Sequence, residues 1–130
     1  MRKSDRGAEV VEFALLAPIL MALILGTIEF GFAFLAQATI AGAAREAARD
    51  MAIHNNPDQA RMVAVNAAVP VVVFANPTEE IGIAATCPTG AAGQVVVTIN
   101  HPYVGLTGWL ATVAPTGVTL GGKGVMRCGG

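Results

Sequence analysis

Two glutamates, two cysteines and one glycine carry most of what could be chemistry in this chain of 130 residues. Glu12 and Glu29 stand within or beside a long apolar run, where a carboxylate is costly unless it is paired, hydrogen-bonded or protonated. Gly7 lacks a Cβ, so its backbone is free to extend just ahead of the apolar run, and taken alone it reads as a flexible residue before a helix. Cys87 and Cys128 are the only cysteines and are candidates for a disulfide. The two histidines, His54 and His101, stand alone, with no C-x-x-C, H-E-x-x-H or acidic cluster near them, so neither a metal nor a cofactor is expected. The sequence lacks G-x-S-x-G, a P-loop and a dinucleotide fingerprint, and Trp109 with Tyr103 reads as packing instead of a binding box. No enzymatic activity and no small-molecule substrate are expected.

The elements that must position these residues follow from composition. The chain is 54% hydrophobic and 13% charged, which excludes a disordered polypeptide. A formal net charge of −1 argues against nucleic acid, whose phosphates need a basic face. From Phe13 to Ala44 the only charge is Glu29, and this stretch exceeds the roughly 20 apolar residues that cross a bilayer. Arg2, Lys3 and Arg6 precede it, which predicts an N-terminus on the cytoplasmic side and a C-terminal domain beyond the membrane. A cleaved secretory signal is the rival, with A-x-A sites at Ala36-Gln37-Ala38 and Ala41-Gly42-Ala43. Phe13–Leu35 is, however, longer than the usual apolar core of about 7–15 residues.

The helical pattern runs on past the apolar stretch to Ile53, giving a helix of about 60 Å, half of which must leave the membrane. Asn55-Asn56-Pro57 should break it, with Asn56 capping a second helix that reaches Ala68. Glu80–Cys87 and Gln94–His101 read as a hairpin around the loop 88–93. Val118–Leu120 and Val125–Cys128 read as one strand or as two divided at Gly121-Gly122, and Val71–Phe74 is ambiguous between helix and strand. The expected class is therefore α+β: a long transmembrane and amphipathic helix over 8–54, then a small exported domain over 55–130 with a short helix and an antiparallel sheet. So small and neutral a domain is expected to cover part of its surface with a partner.

Arg6-Gly-Ala-Glu-Val-Val-Glu-Phe-Ala14 resembles the processing site of type IV prepilins. Together with Val11-Glu-Phe-Ala-Leu15, Pro18, Ile28-Glu-Phe-Gly31 and Ala43-Ala-Arg-Glu-Ala-Ala-Arg49, it is similar in order and spacing to the N-terminal block of TadE-like minor pseudopilins of tight-adherence (Flp) pili. Beyond residue 50 the likeness is only architectural, a pilin-like strand-rich domain. The resemblance implies a leader over 1–7, cleavage between Gly7 and Ala8 by a prepilin peptidase, and Glu12 at the fifth position of the mature chain, followed by Phe13. It further implies residence in the bacterial cytoplasmic membrane, with sibling pseudopilins, the major pilin and an assembly platform as partners beside membrane lipid.

The same resemblance suggests that Glu12 of one subunit neutralises the freed amine of Ala8 in another; the alternative is a snorkelling interfacial glutamate. For Glu29 two readings stand, a contact with another subunit or a position near the outer interface. Pro18 removes a hydrogen bond to Ala14 and predicts a kink or a melted turn, which the resemblance links to subunit extraction; an ordinary membrane-helix proline is the alternative. Ala14, Ala22, Gly26, Ala38 and Gly42 repeat at multiples of four and would permit close helix packing. Cys87 and Cys128 share strand phase with core positions in an oxidising compartment, so a disulfide is expected, contributing about 3–4 kcal/mol through loop entropy.

Overall fold

The computed structural model describes residues 5–84, 87 and 93–128. Its first helix, α1, is Asp5–His54; α2 is Pro57–Ala68, α3 is Pro77–Glu80, and α4 is Trp109–Val113. Three strands, β1 (Ile81–Ile83), β2 (Gln94–Tyr103) and β3 (Val118–Arg127), form an antiparallel sheet in the order β1-β2-β3. The class is α+β, a long apolar helix with a small domain packed on its C-terminal half.

The helix divides by burial. From Gly7 to Ile28 every side chain is exposed or half-buried, including Phe13, Leu15 and Leu23. At Glu29 and beyond, one stripe turns inward: Ala36, Ile40, Ala43, Ala44, Ala47, Ala48 and Met51. The 22 residues of the bare part make a helix of about 33 Å, close to the hydrocarbon thickness of a bilayer. α1 is thus long and apolar enough to cross a membrane, and its far half serves as the core element of the domain.

Pro18 lies inside α1 without interrupting it, so the melted turn that proline permits is absent. The loss of one hydrogen bond is tolerated in a long helix whose neighbouring turns stay paired. The small residues Ala14, Ala22, Ala38 and Gly42 are exposed and face away from the domain. The packing stripe is a different alanine set, and it meets Ala60, Ala64 and Ala68 of α2, spaced four apart on one face. Alanines on both helices let the backbones approach closely.

α1 ends at Asn55, whose φ of +49 suits an asparagine at a helix C-terminus, and its N–H donates to Met51 O at 2.9 Å. Asn56 Oδ1 then accepts from the N–H groups of Asp58 and Gln59, capping α2 as its sequence predicts, with Pro57 in the first turn.

The sheet shows one face to α1. Ile81, Val95, Val97, Ile99 and Leu120 are buried there, and each large one contributes about 1.5–3 kcal/mol by leaving water. Between them stand Gly122 and Gly124, opposite Ile99 and Val97. A Cβ on Gly122 would lie 2.7 Å from Ile40 O, and one on Gly124 would lie 2.1 Å from Ala44 O. β3 therefore runs along the helix backbone, and the glycines are what admit it. This is why Gly121-Gly122 does not divide the third strand: β3 is continuous, and the glycines mark a close approach.

Three further expectations are revised. β1 starts at Ile81, because Glu80 closes the short α3; its continuation at 85–86 and the expected loop over 88–92 lie outside the described residues. β2 continues to Tyr103 through Pro102, beyond the start of β1 opposite Ile99, where only β3 is alongside. Val71–Phe74 is neither helix nor ladder but a turn and loop after Pro70, with Val72 and Phe74 buried and Val71 and Val73 exposed. α4 had no signal in the hydropathy pattern.

Candidate functional site

Gly7, Ala8, Glu12 and Phe13 occupy the exposed first turns of α1. A Cβ on Gly7 would meet nothing within 4 Å, so no packing contact requires glycine there. In a helix interior glycine is less stable than alanine by about 0.5–1 kcal/mol, which favours local unwinding at this point. Glu12 makes no hydrogen bond or ion pair among the described residues and lies one turn beyond Ala8 on the same face. The arrangement offers a readily extended Gly7-Ala8 bond followed by an unpartnered carboxylate at the start of the apolar run.

Glu29 is different. It is 2% exposed, buried by the chain's own domain. Its Oε1 accepts the N–H of Leu106 at 2.8 Å, and its Oε2 accepts the N–H of Thr107 at 3.3 Å and the Thr107 hydroxyl at 3.0 Å. Gly105 and Gly108, with φ of +78 and +72, flank these two residues and turn the chain so that both amides reach one carboxylate. The Tyr103 hydroxyl stands 3.5 Å from the Glu29 carbonyl, and its pKa is raised by burial and then by the Glu29 charge. Of the two readings the sequence left open, a contact with another subunit or a position near the outer interface, neither foresaw that the chain's own domain supplies the partners of Glu29. The carboxylate clasps the loop between β2 and α4 to the helix at the point where the bare segment ends. A signal was present in the sequence: Glu29 is in helical phase with Ala36, Ile40, Ala43 and Ala47.

Cys87 and Cys128 come together as expected, with sulfurs 2.06 Å apart and Cα atoms 5.6 Å apart. Both are half-buried against the core, and Asn55 anchors the first of them: Asn55 Nδ2 donates to Cys87 O, and Cys87 N–H donates to Asn55 Oδ1. Met126, which shares the phase of Cys128, is 36% exposed.

The histidines, isolated in sequence, each find a carboxylate. His54 Nδ1 lies 2.8 Å from Asp50 Oδ1 one turn away, and His101 Nδ1 lies 2.5 Å from Glu80 Oε2. His101 also packs edge-on against Phe74, with ring centres 5.5 Å apart. Burial raises the pKa of Glu80, but the Asn76 N–H, His101 and the Ala75 N–H together outweigh it and leave the carboxyl below its usual range. Among the described residues, no group of three or more His, Cys, Asp or Glu is placed to hold a metal.

These features define a class: a long apolar helix capable of spanning a membrane, bearing a disulfide-containing α+β domain that is clasped to it where its uncovered part ends. Residues 7–49, about a third of the chain, match the family model described as TadE-like protein. The match covers α1 almost to its end and includes none of α2 or the sheet. Comparison with curated proteins finds no match, and neither does comparison with solved structures.

Proposed function

We propose that the chain is a minor pseudopilin, a structural subunit in the assembly of a tight-adherence (Flp) type IV pilus or a related secretion machine. It is inserted with its N-terminus in the cytoplasm and matured by a prepilin peptidase between Gly7 and Ala8. The observation that carries this reading is the bare helix itself: about one bilayer thickness of uncovered α1 lies between Gly7 and Glu29, inside the TadE-like segment. That Gly7 serves no packing role supports a demand from outside the fold.

Maturation removes Arg2, Lys3 and Arg6 and frees an amine at Ala8. Glu12 then has a neighbouring cation to pair with, its own or that of an adjacent subunit, and the cost of two unpaired charges at the membrane edge sets the axial register. The partners in this reading are the peptidase, sibling pseudopilins, the major pilin and the inner-membrane platform. The domain lies on the periplasmic or extracellular side, where the cysteines meet an oxidising compartment. Signal-peptide removal at Ala38 or Ala43 fits poorly with the core, since it would take away Glu29, Ala36 and Ile40.

The test is the N-terminal sequence and intact mass of the protein from its host membranes. A chain beginning at Ala8 is expected. A start at Met1 would make it an uncleaved anchor subunit of an envelope complex, and a start near Thr39 or Ala44 a secreted β-rich binding module.

A further inference from the structure

The end of the domain nearest the bare helix exposes apolar side chains, its one carboxylate, Glu29, being buried. An open groove of about 540 Å³ lies between Phe32 and Ala36 on α1, the loop after α2, and the end of β2. Val71, Val73, Val104 and Leu106 line it and remain exposed, and Trp109 follows three residues on, 38% exposed at the start of α4. The two segments that build this end, Met62–Thr78 and Pro102–Gly122, contain no Asp, Glu, Lys or Arg.

Height along the helix fixes where this surface sits. Leu106 and Thr107 are bonded to Glu29, the first buried residue after the bare segment. Phe32 and Ala36 lie only about 4 and 10 Å further along the axis. The headgroup region on each side of a bilayer is about 5–8 Å deep, so the groove and its apolar rim fall at that level when the bare segment spans the hydrocarbon core. Phe30 and Phe34 leave the uncovered side of α1 at the same height. Tryptophan and other aromatic side chains favour this zone, where an apolar body and a polar edge are both solvated.

We infer that the domain is seated in the bilayer interface, with Val104, Leu106 and Trp109 in the headgroup layer against lipid, and that the Glu29 clasp holds the loop at that depth. The occupant of the groove is acyl chain and glycerol backbone, because the surface is continuous with a helix face that lipid already covers. The inference rests on the membrane-spanning reading of α1. The seat would fix the tilt and rotation of the domain relative to the bilayer, which a single helix leaves free.

Trp109 is the only tryptophan, so the full chain reports on itself. In vesicles of phosphatidylcholine and phosphatidylglycerol, lipids brominated near the glycerol end should reduce Trp109 emission about twofold, and lipids brominated at mid-chain should reduce it less. Val104→Asp combined with Leu106→Asp should relieve the shallow quenching. The span is read separately in a chain carrying Trp109→Phe and Leu20→Trp, whose single indole mid-chain bromine should quench most. If that indole in the helix is quenched and Trp109 of the unaltered chain is indifferent to both lipids, the seat is overturned and the span stands. A Trp109 emission that responds only to the protein-to-lipid ratio would mean that a second copy covers the groove, which also overturns the inference. If the indole in the helix escapes quenching, the span fails and the seat fails with it.

Discussion

Replacing Glu29 by alanine removes the acceptor for two backbone amides and one hydroxyl at once. A hydrogen bond to a charged group contributes about 1.5–3 kcal/mol when its partner cannot be replaced by water. The Thr107 hydroxyl can rotate toward solvent and Leu106 is itself exposed, so only the two amides count, at the low end of that range. Opening of the 104–108 loop should then become easier by about 2–4 kcal/mol, roughly a 30- to 1,000-fold change in the opening equilibrium. Amide hydrogen exchange of the chain in detergent micelles reads this directly, because local openings set the rate for such amides. The Leu106 and Thr107 amides should exchange faster by that factor in Glu29→Ala, and by about tenfold in Glu29→Gln, which retains one carbonyl acceptor. The amides of Val97 and Ile99 in central β2 should keep their wild-type rates. If the two loop amides stay within about threefold of wild type, or the whole sheet loosens with them, Glu29 is not a local clasp and the argument for it is wrong.

Gly124→Ala places a methyl group 2.1 Å from Ala44 O, so β3 must leave the helix; a loss of at least about 3 kcal/mol is expected by thermal or denaturant unfolding. Gly121→Ala, whose Cβ meets nothing nearer than 3.7 Å, should change the midpoint little. Replacing both cysteines by serine releases a loop closed across 41 residues, with an expected loss of about 4 kcal/mol and a matching drop in the midpoint. Because Glu80 titrates below its usual range when folded, its contribution is complete above that range and is lost as pH falls through the folded value. The stability gap between wild type and Glu80→Gln should therefore be widest near neutrality and close under acid; a gap that widens on acidification would contradict the pairing. In the native host, Glu12→Ala should be cleaved normally yet fail to enter the assembled complex, seen by comparing precursor processing with co-purification; normal assembly would remove that role.

Local patterns made a good part of this molecule legible. The break at Asn55-Asn56-Pro57 depends on capping chemistry within four residues, and the observed cap follows it. The core strands follow from alternation: Val95, Val97 and Ile99 point one way over a span that a period of two describes. The chain's two cysteines pair as expected, although Cys87 and Cys128 lie beyond β1 and β3 rather than in strand phase with them. By contrast, the sequence leaves open whether Gly121-Gly122 divides the third strand, because glycine is neutral on its own; only the carbonyls of Ile40 and Ala44, far away in sequence, make Gly122 and Gly124 a requirement. The small residues Ala14, Ala22, Gly26, Ala38 and Gly42 have the spacing for close helix packing, but α2 packs on a different alanine stripe, since a chain rich in alanine offers several and spacing does not choose among them.

The apolar run, its length and the residues at its start are properties of consecutive side chains, and hydropathy against bilayer thickness determines them without reference to anything else in the chain. So too is the TadE-like signature, which lies wholly within one helix. Where the uncovered part of the helix stops is set by the domain. The fate of Glu29 belongs to the tertiary structure. In sequence it is a lone charge in an apolar run, with a desolvation cost that must be met by some donor. The donors are the amides of Leu106 and Thr107, 77 and 78 residues further on, and nothing in their own types announces it, because a backbone N–H carries no residue code. Folding of β2 and β3 along α1 brings that loop to the helix, and the buried charge then holds it there.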